Sequence, residues 1–583
     1  MNGNMAKPKM AVTKQSLNFL YLVYFLQLAF LFLIFFTARS YFGYICLTSL
    51  ALQQILSIIL NNTLSHKKHT VLFAILSVLS GGFMAIVRIF SDSEKKGSLT
   101  GSKLQMAAFG IQGVGIFTLF YIWLADTPEY ALFSLAASVA VSVIILLTRR
   151  DPEEKITSLM LIFLLFGYGY LVFLLASPKP YFLRFSKRYK SFENATRVSR
   201  KAKKEAKSAP LFDFLSAHGF ESLECDGAKY FPTGERFFAD VEAQLREAKK
   251  YIYLEFFICE DGELFDRLCP IIKERAEAGV EVRMICDDIG TYRSVVCGIL
   301  PELIASGVKI IGYNRVIPVT NTFIQYRDHR KMIVIDGGHA YFGGVNIADE
   351  YINKKRPFGY WKDAGMCVSG SAASAFELAF RRQWYAISKE TIPHHTNPVI
   401  CSDTEKITVP YFDGHEGKLC EQIYTKIIDS AKERVAIITP YFVPGVRMLR
   451  LIKRKAREGV DISIIVPGRP DKFYVNAVTK VNSESLIKYG VKVYQMHDSF
   501  THAKAILADS YACVGTANFD YQSFRKSSEC GVITNDSEAV KSLEIDVSCV
   551  IKTSELIDEQ RRLKNNKLQY LAATVYRLVS ILM

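Results

Sequence analysis

Apolar positions fall into two regimes along the chain. Between residues 17 and 177 they form long, nearly uncharged runs, whereas from about residue 216 they come in short blocks separated by amphipathic stretches. Runs at about 17–37, 41–61, 70–90, 104–125, 130–147 and 156–176 each approach the ~20 residues that an α-helix needs to cross a hydrocarbon core. A cleaved leader would account for one of them, and six in succession are too many for a soluble core. The pattern predicts an all-α polytopic membrane region over residues 1–178 with about six helices.

The rest of the chain repeats itself. "EAKKYIYLEFFI" at 247–258 parallels "SAKERVAIITPYF" at 430–442, "ERAEAGVEVRMICDD" at 274–288 parallels "RKAREGVDISIIVPG" at 454–468, and "SGVKIIGYN" at 306–314 parallels "YGVKVYQMH" at 489–497. Helix-like stretches alternate with short apolar strands, which predicts α/β layers with mainly parallel sheets. The internal repeat predicts two such lobes related by a pseudo-twofold axis. The expected divisions are a basic juxtamembrane linker at 179–215, a first lobe at 216–400, a second lobe at 401–551 and a C-terminal amphipathic helix at 552–583. In that last helix Leu568, Leu571, Ala572, Val575, Leu578, Val579 and Leu582 recur at helical spacing.

One chemical motif is carried by both lobes. His329-Arg-Lys331-x4-Asp336 precedes Gly343-Gly344-Val-Asn346, and His502-Ala-Lys504-x4-Asp509 precedes Gly515-Thr516-Ala-Asn518. Composition alone yields about 0.12 chance matches to a His-x-basic-x4-acid spacing in the whole chain. Each copy reads as strand, turn, strand. Residues two apart on a strand share a face, so each His stands beside its Lys, a nucleophile next to a fixed cation. The amides of Asn346 and Asn518 fall where they can reach the same spot. Asp336 and Asp509 complete the motif and are grouped with its catalytic residues, although their parity, opposite to that of their His, suits strand anchors better than acid–base groups.

These words resemble the phospholipase D superfamily and, within it, the bacterial cardiolipin synthases. "YRDHRKMIVIDGGHAYFGGVNIADEY", "FGYWKDAG" and "THAKAILADSYACVGTANFDYQSF" carry the resemblance, which spans about residues 215–583. It implies a phosphatidyltransferase that joins two phosphatidylglycerol molecules into cardiolipin and glycerol through a phosphohistidine. His329 is the expected nucleophile by that analogy, and His502 the acid and base. Lys331, Lys504, Asn346 and Asn518 would cradle the phosphoryl oxygens. The resemblance also implies an orienting carboxylate for each ring, Asp363 for His329 and Glu529 for His502. Two lysines already neutralise the phosphate, so no metal or other cofactor is expected. The nucleophile has to start neutral and the acid charged, which predicts a bell-shaped pH–rate profile.

Charge and cysteines refine the picture. The formal net charge is +15, and Arg184 to Lys207 holds ten basic residues against Glu193 and Glu205. Such a run suits the surface of a membrane of phosphatidylglycerol and other anionic phospholipids. With that run counted, the positive-inside bias favours a multi-pass protein of the cell membrane with cytoplasmic lobes. Eleven of the 12 Cys follow the membrane region without metal-type spacing, which suits a reducing compartment. Membrane attachment argues against nucleic acid as a partner, and hence against a nuclease. Intact copies of both motifs argue against a binding or regulatory protein with a vestigial lobe. Hydrolysis, or transfer to another alcohol, would use the same residues and stays open.

Overall fold

The repeated sequence blocks fold into repeated sheets. The computed structural model describes residues 128–148, scattered positions between 155 and 192, 210–217, 223, 225–291, 299–314, 326–393 and 419–558. The first lobe contains β1 (Ala228–Phe231), β2 (Tyr251–Phe256), β3 (Glu281–Asp287), β4 (Lys309–Tyr313), β5 (Met332–Ile335), β6 (His339–Gly343), β7 (Tyr360–Lys362) and β8 (Gly365–Ser369). The second contains β9 (Arg434–Ile438), β10 (Phe442–Val443), β11 (Asp461–Val466), β12 (Lys492–Met496), β13 (Ser499–Thr501), β14 (Ala505–Ala508), β15 (Tyr511–Gly515), β16 (Phe519–Asp520), β17 (Gly531–Thr534) and β18 (Ser554–Leu556). Seven-stranded sheets run β1-β8-β6-β5-β2-β3-β4 and β17-β15-β14-β9-β11-β12-β18.

The sheets are mixed, which corrects the expectation of mainly parallel ones. Within the two seven-stranded sheets only β2-β3-β4 and β9-β11-β12 pair in parallel, linked by crossover helices such as Glu263–Glu277 and Val446–Arg457. The remaining neighbours in both sheets are antiparallel. The motif hairpins are the reason. Turns of a few residues, as between β5 and β6 or β14 and β15, can join only antiparallel strands. Asp336 and Gly337 make the first turn with φ of 52° and 68°, the left-handed region that Asp and Gly tolerate.

One hydrophobic core joins the lobes. Tyr253, Val334 and Phe342 of the first sheet belong to the same buried cluster as Ile438, Ala505 and Val514 of the second. Helices Ala373–Ser388 and Ser537–Lys552 contribute Phe376, Phe380, Leu543 and Val547 to it. Helix Pro210–Ala217 places Leu211 and Leu215 in the outer core of the second lobe, beside Ile423 and Ile427. Part of the basic linker is also built in. Tyr189 and Phe192 are buried on helix Ala373–Ser388, where the Tyr189 hydroxyl donates to Gln383 Oε1 at 2.5 Å.

Helix Pro128–Leu147 covers the run expected at 130–147 and exposes Phe133, Leu135, Val139, Ile144 and Leu147. Its side chains are described from Phe133 on, and among the described residues no helix is long and apolar enough to cross a membrane. The runs expected at 17–37, 41–61, 70–90 and 104–125, and most of 156–176, lie outside the described residues. So does the expected helix at 552–583 beyond residue 558. Its start is instead β18, an edge strand antiparallel to β12.

Candidate active site

The two motifs meet because each is stitched to the opposite lobe. Asp328 bridges in parallel to Ser528, and the His329 N–H donates to the Ser528 carbonyl at 3.0 Å. In the other half β13 pairs in parallel with β7, Thr501 opposite Lys362, and the His502 N–H donates to the Lys362 carbonyl at 2.7 Å. Ser528 precedes Glu529, and Lys362 precedes Asp363. Each imidazole is therefore carried to the carboxylate of the other lobe.

That stitching reverses the expected pairing. His329 Nδ1 lies 3.0 Å from Glu529 Oε1, and His502 Nδ1 lies 2.8 Å from Asp363 Oδ2. The expectation had coupled Asp363 to His329 and Glu529 to His502. Both carboxylates are fully buried and both rings nearly so. An ionised carboxylate on Nδ1 fixes the neutral ring's proton there and leaves the Nε2 lone pair for chemistry.

Glycine and threonine at one equivalent position support the two carboxylates. Gly344 N–H donates to the Ala364 carbonyl at 2.9 Å, as Thr516 N–H does to the Cys530 carbonyl at 2.9 Å. A Cβ on Gly344 would lie 2.0 Å from Asp363 Oδ1 and 2.8 Å from the His502 carbonyl oxygen. The second lobe has room for Thr516, whose hydroxyl donates to Glu529 Oε2 at 2.5 Å. Gly344→Ala should break the Asp363–His502 contact and lower kcat by about 100-fold or more. Gly338→Ala is the control, since nothing lies within 4 Å of the Cβ it would add and its turnover should not change.

The lysines sit under the same strain of burial. Lys331 Nζ donates to the His329 carbonyl at 2.5 Å, and Lys504 Nζ donates likewise to the His502 carbonyl. Burial pulls Lys331 down to about 8, and carboxylates including Glu529 and Asp363 offset only part of this. Burial pulls Lys504 down to about 7, with Lys331 adding repulsion. His329 falls to about 4 through burial, only partly offset by Glu529, with Lys331 and Lys504 pushing the same way as burial. His502 falls to about 3 through burial and Lys504. Each motif's lysine acts on the other motif's histidine, so the two copies form one electrostatic site. Both rings are neutral in the resting protein at pH 7, rather than one neutral and one charged.

Asp336 and Asp509 do not join the imidazoles. Asp336 accepts from the backbone N–H groups of Lys249, Lys250 and Tyr251 at 2.8, 2.7 and 2.9 Å. Asp509 accepts from Lys432, Glu433 and Arg434 at 2.7, 3.0 and 2.9 Å. They clamp the start of β2 and β9 at the far end of each hairpin, which corrects their grouping with the catalytic set. Burial raises the Asp509 carboxyl, but its three donors outweigh that and hold it below the usual carboxylate value. Its contribution is therefore present near neutral pH and lost as pH falls through the depressed value. Asp509→Ala should lower stability by about 1–3 kcal/mol, read as a drop in Tm, with KM unchanged.

Asn346 and Asn518 stand where the repeat places them. Asn346 accepts from the Ile258 N–H at 3.0 Å and donates to the Tyr351 hydroxyl at 2.6 Å. Asn518 hydrogen-bonds the Asp520 carboxylate, while its Oδ1 is buried without a partner among the described residues. Aromatic rings wall the site. Phe257 packs 5.2 Å from the His329 ring and lies 5.3 Å below the Lys331 ammonium. Tyr351 and Trp361 lie 5.5 and 5.4 Å from the His502 ring.

Sequence reasoning passed over the buried charges that hold the His329 segment. Arg327 pairs with Asp287 at 3.1 Å, and the Asp328 N–H donates to the same carboxylate. Arg330 is clamped between Asp328 and Glu255. Gln383 donates to Asp328 at 3.1 Å and accepts from Tyr189, so the linker is wired to the residue beside His329. Arg327 and Arg330 on either side of His329 were the available signal that acids must be buried nearby.

The chain is similar to known proteins across both lobes. The family described as cardiolipin synthase, PLD-like domain, matches residues 241–377 and 424–548. A cardiolipin synthase of Geobacillus kaustophilus is 32% identical over 357 residues, 60% of this chain and 71% of that one. An uncharacterized protein of Streptococcus mutans serotype c is 32% identical over 400 residues, 67% of this chain and 87% of that one. Among solved structures, phosphatidylserine synthase of Haemophilus influenzae Rd KW20 aligns with a TM-score of 0.49 at 16% identity, over 62% of this chain and 97% of that one. Two crossed His–carboxylate pairs around two buried lysines, in a chain this similar to known synthases, lead to one conclusion: the protein belongs to the cardiolipin synthase family of the phospholipase D superfamily and is a phosphatidyltransferase.

Proposed function

We propose that the protein joins two phosphatidylglycerol molecules into cardiolipin, releasing glycerol, with His329 as nucleophile and His502 as acid and base. The observation that supports this most is the crossed pairing, which leaves Nε2 of both neutral rings for one phosphodiester. Nε2 of His329 attacks phosphorus, and the P–O bond to the headgroup glycerol breaks. The departing oxygen takes a proton from His502. A hydroxyl of a second phosphatidylglycerol then gives its proton to the now neutral His502 and attacks phosphorus. The P–N bond breaks, His329 is regenerated, and no net redox change occurs.

The lysines fit the same sequence. Lys331 and Lys504 neutralise the phosphoryl oxygens in a water-poor site, where such charge counts for most. Each Asn amide nitrogen has a second hydrogen to offer them. An arriving phosphodiester anion favours the cationic form of every base around it, so His502 acquires its proton with the substrate. The polytopic N-terminal region would hold the lobes at the bilayer, on its cytoplasmic side, where both substrates reside. Purified full-length protein incubated with phosphatidylglycerol labelled in the headgroup should yield cardiolipin and labelled glycerol in equal amounts. Phosphatidic acid without cardiolipin would make it a hydrolase instead.

A further inference from the structure

Helix Phe473–Ile487 starts with its largest apolar side chain in solvent. Phe473 is 72% exposed and Tyr474 36% exposed, their rings edge to face at 5.6 Å. Exposed aromatics rimmed by charge mark interaction surfaces.

The residue before it reaches toward the site. The Lys472 ammonium lies 5.0 Å over the Tyr441 ring, and the Tyr441 hydroxyl donates to Asp471. β10 pairs in parallel with β16, Phe442 opposite Phe519, which puts Tyr441 in register beside Asn518. Tyr441 also packs on the first lobe's core cluster that contains Tyr351 and Trp361, the rings against His502. Tyr441 thus links Lys472, the neighbour of the exposed ring, to the strand end that carries Asn518.

The neighbouring helix carries charge of one sign. Helix Val446–Arg457, which packs against this helix, carries no acidic residue. Its Arg454 is neutralised by Asp429 and Glu458, whereas Arg447 and Arg450 are exposed and enter no ion pair among the described residues. An aromatic ring beside unneutralised cations matches the boundary between anionic headgroups and acyl chains.

We propose that Phe473 and Tyr474, next to Lys472 and the basic helix Val446–Arg457, dip into the surface of an anionic phospholipid bilayer and form the edge over which lipid enters the site. The inference rests on a phospholipid substrate and adds where the catalytic lobes touch its membrane. The test compares full-length Phe473→Ser with wild type on two substrates. These are dioleoyl phosphatidylglycerol in vesicles with phosphatidylcholine, and dihexanoyl phosphatidylglycerol below its micellar concentration. Turnover of the bilayer substrate should fall about tenfold, the loss expected when one phenyl ring no longer inserts. Turnover of the monomeric substrate should be unchanged. Equal losses on both, or none on the bilayer, would overturn the proposal. Independently, Phe473→Trp should be quenched by lipids brominated on the acyl chain beyond the quenching that Trp123, Trp361 and Trp384 show in wild type. Quenching equal to wild type would also overturn it. That arm stands even if the wild type forms no cardiolipin, a failure that would fall on the proposed reaction instead.

Discussion

His329→Ala should abolish cardiolipin formation, by about 10⁴-fold or more, and no phosphoenzyme should form. His502→Ala should lose comparable turnover on phosphatidylglycerol, because on the proposed mechanism the glycerol alkoxide would then leave unprotonated. The two variants separate on a phosphodiester whose leaving group is p-nitrophenol, which needs little protonation. There His502→Ala should give a burst of one nitrophenol per enzyme and an acid-labile phosphohistidine, whereas His329→Ala should give neither. A burst from His329→Ala instead would assign the nucleophile to His502. The crossed pairing extends the test to residues that chain order would misassign. Glu529→Gln, in the second half of the chain, should slow the burst as a His329 lesion does. Asp363→Asn, in the first half, should spare the burst and slow turnover of phosphatidylglycerol. Losing an orienting carboxylate typically removes several orders of magnitude, since it decides which tautomer the ring holds.

The crossing also marks where sequence reading ran out. The repeated H-x-K-x4-D spacing was enough to find both hairpins and both histidines, because alternation and turn residues act locally. It also identified Asp336 and Asp509 as anchors by parity, and three backbone donors on each carboxylate give the physical reason. Which carboxylate meets which ring depends on β13 pairing with β7 and Asp328 with Ser528, contacts between lobes that no local period encodes. The same limit explains the sheets. Alternating helices and strands correctly implied βαβ units for β2-β3-β4 and β9-β11-β12, but the hairpin strands added beside them are antiparallel. The difference between Gly344 and Thr516 was visible as two letters. Its meaning, a short carboxylate against a glycine and a longer one held by a hydroxyl, needed the packed site.

The second large effect is in pH, where activity and stability should move in opposite directions. kcat/KM requires a neutral His329 and charged lysines in the free enzyme. With His329 near 4, Lys504 near 7 and Lys331 near 8, the profile should rise through pH 4 and fall between 7 and 8. Lys504→Arg should remove the limb near 7 and leave the one near 8, because a guanidinium stays charged. A rate flat from about pH 5 to 9 would contradict the assignment of these groups. Stability has the other sign. The native values of these lysines lie below their ordinary value of 10.5, so the unfolded chain binds more protons than the native one above pH 7. Their cost is largest below pH 7 and shrinks as pH rises. Lys504→Met should therefore lower turnover by about 100-fold or more while raising Tm, as often happens when a buried charge gives way to an apolar side chain. The gap in Tm over wild type should narrow between pH 7 and about 8.5, where the native lysine gives up its proton and the unfolded one does not. A gap that is absent or widens over that range would show that Lys504 does not carry the cost assigned to it. In that case the alkaline limb of the activity would need another group.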